Sequence, residues 1–112
     1  MGLEKYLMPE ETIRYEHPTR IKYGEIEYNI YITDRKLIAY VQTGLIFKND
    51  KIITININDI KSMDYKEAGI INKTGTLKLN TGQMSFSFYG TPRGMTQLWQ
   101  TLQSFTNRGT AT

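Results

Sequence analysis

The chain has 112 residues, 39% of them hydrophobic and 12% aromatic, which fits one globular domain and leaves no length for a second. It contains no cysteine, so disulfides, thiolate metal sites and thiol nucleophiles are excluded. Its 14 basic residues against 11 acidic ones give a net charge of +3, with the cations scattered along the chain, unlike the concentrated arm or stripe of a strong nucleic-acid binder.

Residues 1–9 carry Glu4 and Lys5 and lack the apolar stretch of a signal peptide. No apolar run approaches the ~20 residues of a membrane span. The expected location is the cytoplasm, with the inner membrane face as the place of any peripheral attachment.

From Ile13 onward the pattern has period two. Ile13, Tyr15, His17, Ile21 and Tyr23 alternate with Arg14, Glu16, Arg20 and Lys22, which predicts one half-buried strand, bent or bulged at Pro18. After a turn at Gly24, Ile26, Tyr28, Ile30 and Ile32 face one side of a second strand, and Glu27, Asn29 and Tyr31 the other. Thr33-Asp34-Arg35 turns the chain into a third strand. There Leu37, Ala39 and Val41 alternate with Ile38 and Tyr40, so both faces are apolar.

Thr43-Gly44 opens a loop, and Lys48-Asn49-Asp50-Lys51 reads as a turn. Residues 52–57 form a β-branched stretch suited to a strand. Asn58-Asp59 breaks it, and Met63 and Tyr65 mark a further strand ended by Gly69. Ile70 and Ile71 are expected to begin another extended segment, interrupted at Gly75 and continued by Leu77 and Leu79. In the last strand Met84, Phe86 and Phe88 occupy one face, and Ser85, Ser87 and Tyr89 the other.

The period then changes. Thr91-Pro92 supplies an N-cap and a proline at the first helical position. Met95, Leu98, Trp99, Leu102 and Phe105 form one helical stripe over residues 92–106. Asn107-Arg108-Gly109 is expected to close the helix, with residues 110–112 as a frayed tail. The fold class is therefore mainly β. About six or seven antiparallel strands over residues 12–89 curl toward closure, and the amphipathic helix covers an open end.

Four strings resemble the bacterial and archaeal pleckstrin-homology-like domains. They are Leu7-Met8-Pro9-Glu10-Glu11; Tyr31-Ile32-Thr33-Asp34-Arg35-Lys36-Leu37-Ile38; Ile57-Asn58-Asp59-Ile60-Lys61-Ser62; and Gly75-Thr76-Leu77-Lys78-Leu79. The resemblance spans about residues 7–105. It implies a single domain over residues 1–112, a barrel of two near-orthogonal sheets closed by the C-terminal helix. It also implies a binding or assembly module. Several eukaryotic relatives bind phosphoinositides through a basic cluster near the first hairpin. The nearest equivalent here is Arg20 and Lys22, followed by Glu25 and Glu27, which would repel an anionic headgroup.

No constellation of acid, base and nucleophile is visible, and no enzyme activity or cofactor is expected. His17, the one histidine, has no ligand partner at metal-binding spacing and reads as a strand histidine. Three functions follow from the residues. The first is protein–protein or self-association through an apolar outer hairpin face that includes Tyr31, Ile38 and Tyr40. The second is peripheral binding of anionic lipid by Arg20 and Lys22, with Arg35 and Lys36 as further cations. The third is nucleic-acid binding, with Tyr31, Tyr40 and Tyr89 as stacking platforms beside Arg35 and Lys36.

Overall fold

A computed structural model describes residues 2–106. The strands are β1 (Ile13–Glu16), β2 (Ile21–Tyr23), β3 (Ile26–Thr33), β4 (Lys36–Thr43), β5 (Asn49–Asn56), β6 (Ser62–Ala68), β7 (Thr74–Asn80) and β8 (Ser85–Gly90). The helix α1 (Pro92–Thr106) follows, and short 3₁₀ turns occupy Leu3–Tyr6 and Ile57–Asp59. All pairings are antiparallel, in the order β5-β4-β3-β2-β8-β7-β6, with β1 on β3 beside this path. The residues expected to close the helix, Asn107-Arg108-Gly109, and the tail 110–112 lie outside the described residues.

The expected first strand is two strands. Its register shifts between Ile13 and Tyr15, which throws Ile13 out of phase and leaves it exposed. His17 still donates its N–H to the Ile30 carbonyl at 2.9 Å. Pro18 then ends the pairing, because it has no N–H to give. β2 pairs with the start of β3 and reaches β8 through Lys22 opposite Tyr89. β3 thus belongs to both sheets, pairing first with β2 and then with β1 and β4.

The core holds Ile30, Ile32, Leu37, Ala39, Leu77, Leu79 and Phe88, each nearly sealed from water. Onto it α1 lays Met95, Leu98 and Leu102, with Trp99 and Phe105 half-buried at the margins. Trp99 stacks on Tyr65 at 5.5 Å between ring centroids. The helix start sits close because Gly75 has no side chain. A Cβ there would come within 3.1 Å of Met95 Cβ and 3.2 Å of Pro92 Cα. Thr91 caps the helix as expected, its Oγ1 accepting from Gly94 N–H at 3.2 Å.

Three expectations are corrected. Asn49, Asp50 and Lys51 are not a turn but the start of β5, paired with Thr43, Gln42 and Val41. Tertiary partners override the local turn preference: Asp50 accepts hydrogen bonds from Tyr40 Oη at 3.0 Å, Tyr6 Oη at 3.0 Å and Gln42 Nε2 at 3.1 Å. Ile70 and Ile71 are not in a strand; they form the exposed β6–β7 tip, and β7 begins at Thr74. Met84 lies before β8 and is exposed.

The outer face of β4 is apolar, and the chain's own N-terminus covers it. Leu3 packs with Ile38 and Tyr40 in a second small core, joined by Tyr6, Leu7, Tyr31 and Ile52. Gly2 lies so near that a Cβ on it would run into the Tyr40 hydroxyl. Further along, Glu11 is buried and accepts from the Thr33 hydroxyl at 2.6 Å and the Met8 N–H at 2.7 Å. Lys36 Nζ lies 3.4 Å from the same carboxylate.

Candidate functional site

Two surface features have unspent binding chemistry. The first is a cleft where the end of β1, the β1–β2 connection, the approach to β7 and the start of α1 meet. It encloses about 400 Å³ and is lined by His17, Thr19, Arg20, Lys22, Glu27, Lys73, Tyr89, Thr91 and Gly94, among others. Pro18 builds it by ending β1 and letting residues 19–22 swing across to β8. Arg20, Lys22 and Lys73 are exposed cations at its rim, and Glu27, paired across from Lys22, is the one carboxylate among its lining residues.

His17 forms part of the cleft floor and is only 5% exposed. The Tyr15 hydroxyl lies 2.8 Å from its Nδ1, whereas Nε2 has no hydrogen-bond partner and is sealed from bulk water. Burial pushes this imidazole below its ordinary 6.5, so the ring is neutral at pH 7.

The second feature is the tip of the β4–β5 hairpin. Leu45, Ile46 and Phe47 are 95%, 83% and 84% exposed, three large apolar side chains in succession. Gly44 holds the tight turn beneath them with φ +97°, and a Cβ on it would strike the Phe47 carbonyl. Lys48, just before β5, and Lys51, within it, are exposed on the chain that leaves the tip. The β6–β7 tip repeats the theme, with exposed Ile70 and Ile71 between Lys66 and Lys73.

Of the cations expected to bind ligand, the cleft brings Arg20 and Lys22 together. Arg35 is exposed at the far end of β3, in the turn to β4, away from the segment that pairs with Lys22. Lys36 is a correction: its ammonium faces the buried Glu11 and its side chain is only 14% exposed, so it is engaged inside the fold. Burial would raise the Glu11 carboxyl, but the Thr33 hydroxyl, the Met8 N–H and the Lys36 charge outweigh it and hold the group below the ordinary range.

The interface and stacking readings of Tyr31, Ile38 and Tyr40 are corrected too. Ile38 and Tyr40 are buried under Leu3 and Tyr31 is half-buried beside them, so this face offers neither a docking surface nor a base platform. Tyr89 alone of the expected stacking set is exposed. Lys73 and Gly94 were missed as cleft residues; they join it only through the β6–β7 loop and the start of α1, far along the chain from Arg20.

The strand order, the shared β3 and the helix packed over the core define a pleckstrin-homology-like fold. No family model and no curated protein matches the chain. Among solved structures the chain is similar to the pleckstrin homology domain from Shewanella amazonensis SB2B. The TM-score is 0.66 at 17% identity, over 93% of this chain and 91% of that one. The likeness is one of fold.

Proposed function

We propose that this chain is a non-enzymatic binding module that docks peripherally on an anionic bilayer, at the inner face of the cytoplasmic membrane. The observation that carries the reading is the bare tip of Leu45, Ile46 and Phe47 above Lys48 and Lys51. A fully exposed run of this kind is costly in water, since burying one such side chain is worth about 1.5–3 kcal/mol. The bilayer interface accepts apolar groups to a depth of about 5–10 Å, within reach of a hairpin tip. Each lysine near an anionic leaflet adds about 1 kcal/mol.

The competing reading, self-association through the hairpin's outer face, loses its support because that face is already occupied by Leu3 and Tyr6. A convex three-residue tip also falls well short of the roughly 800 Å² per partner that a stable protein interface needs.

Co-sedimentation tests the proposal. The protein should pellet with vesicles rich in phosphatidylserine and much less with zwitterionic ones. Phe47→Ser with Ile46→Ser should weaken pelleting at least tenfold. Protein that stays in the supernatant with anionic vesicles at low salt would sink the reading.

A further inference from the structure

The outer face of β6, β7 and β8 carries a recess that shares only Tyr89 with the cleft and none of its residues with the apolar tip. It encloses about 440 Å³ and is lined by Asp64, Lys66, Thr76, Lys78, Ser87 and Tyr89, among others. Alternation along the strands builds it. Leu77, Leu79 and Phe88 go to the core, so Thr76, Lys78, Ser87 and Tyr89 turn outward. Register then sets these side chains in two rows. Lys66, Thr76, Tyr89 and Lys22 follow one another across β6, β7, β8 and β2, and Asp64, Lys78 and Ser87 form the row beside them.

Neighbouring strands lie about 4.8 Å apart, so the stems of Lys66 and Lys78 start within about 10 Å of the Tyr89 stem. Both lysines are exposed, and so is the Tyr89 ring, at 39%. The carboxylates nearby are engaged or turned away. Asp64, across from Lys78, accepts from Asn80 Nδ2 at 3.2 Å. Glu67 lies on the opposite face of β6, where it accepts from the Tyr65 hydroxyl at 2.8 Å. Glu27 stands at the far end of the row, beyond Lys22. A flat aromatic ring is therefore set in a positively charged surround.

We infer that this recess binds single-stranded nucleic acid, with one unpaired base stacked on Tyr89 and the flanking phosphates held by Lys66 and Lys78. Such a strand offers both things the recess is built for, a bare aromatic face and a line of negative charge. The hydroxyls of Thr76 and Ser87 lie between, at the level of the sugar. A duplex keeps its base faces inside its own stack and brings only phosphates. An acidic peptide or a lipid headgroup likewise brings charge without a flat ring. Stacking is tolerant of base identity, so the site selects an unpaired strand rather than a sequence. The inference stands apart from the membrane reading, which rests on the tip.

The test titrates the full chain into a short fluorescein-labelled oligothymidylate and follows anisotropy at several salt concentrations. At low salt the Kd should lie on the order of 10–100 μM, and two phosphate contacts give a log–log salt slope of about −1.4. Tyr89→Leu should weaken binding at least fivefold, whereas Tyr89→Phe, which keeps the ring, should bind as the wild type does. Lys66→Gln and Lys78→Gln should each weaken it about threefold to fivefold and remove about 0.7 from the slope. Asp64→Asn should tighten it. Thermal unfolding of each variant checks the fold, and proton NMR of the wild type should show the Tyr89 ring resonances moving as the oligonucleotide is added.

Further arms separate the ligand classes. An oligouridylate of the same length compares RNA with DNA: equal binding supports a site blind to the sugar, and tighter RNA binding supports one that reads the 2′-hydroxyl through Thr76 or Ser87. A duplex of that length should bind more weakly than either strand. Polyglutamate and a heparin fragment carry matched charge without bases. If either binds as tightly as the oligonucleotide, the face is a general polyanion or acidic-peptide surface and the inference is overturned. Full affinity in Tyr89→Leu, a Tyr89 ring that does not move, or no anisotropy change at low salt overturns it equally.

Discussion

The β4–β5 hairpin is apolar in two places, and the described residues cover one of them. Along the outer face of β4, Ile38 and Tyr40 disappear beneath Leu3, Tyr6 and Leu7. A few residues later, Leu45, Ile46 and Phe47 stand in water. Both patches consist of large hydrophobic residues that lie outside the main core. The difference is a partner within reach: the 3₁₀ turn Leu3–Tyr6 lies over the first and nothing among the described residues lies over the second. An exposed-looking apolar face is thus an assignment about the whole chain, and only the uncovered patch is available for binding.

Substitutions sharpen the contrast. The largest effect is expected from Leu3→Ala, which opens a cavity under the strap and should cost about 2–3 kcal/mol in urea unfolding. It should also create dye-binding surface over Ile38 and Tyr40. If its stability matches the wild type, the strap is not packed as described. Next comes Gly75→Ala, where the added methyl would come within 2.7 Å of the Tyr65 hydroxyl and press on Met95 and Pro92 inside ordinary van der Waals distance; overpacking there should cost about 1–3 kcal/mol by the same measurement.

A pH effect follows from Asp50. The Gln42 amide, against the opposing effect of burial, together with the Tyr6 and Tyr40 hydroxyls and Lys5, lowers it from 3.8 to about 2. A carboxyl depressed on folding lends its stability above the unfolded value and loses it as pH falls toward the folded one. The urea midpoint should therefore decline between about pH 4 and pH 2, and Asp50→Asn should flatten that limb. An unchanged slope in the variant would count against the cluster. Smallest of all, Phe47→Ser should shift stability by less than about 0.5 kcal/mol, because the side chain is largely exposed among the described residues. A larger loss would mean the tip is covered after all.

Most of the fold was legible because its signals are local. Alternation marks β3, β4 and β8, and the stripe from Met95 to Phe105, with the Thr91-Pro92 start, marks α1 and where it begins. The misreadings come from contacts distant in sequence. Asp50 behaves as a strand residue because Tyr6 and Tyr40 hold it, and no window around Lys48-Asn49-Asp50-Lys51 contains Tyr6. Lys36 resembles a free cation until Glu11 is folded beneath it. Ile70 and Ile71 have the β-branched character of a strand and sit in a loop, so composition misled there. The cleft was half legible: Arg20 and Lys22 stand close in sequence, whereas Lys73 and Gly94 arrive through long-range topology.

The contact between Gly2 and the Tyr40 hydroxyl has a practical side. Tyr40 cannot step aside cheaply, since its ring is buried and its oxygen is tied to Asp50. A bulky residue at position 2, as left behind by many affinity-tag cleavage schemes, would pry the strap from the sheet and lay bare a sticky strip. Preparations made that way should clump.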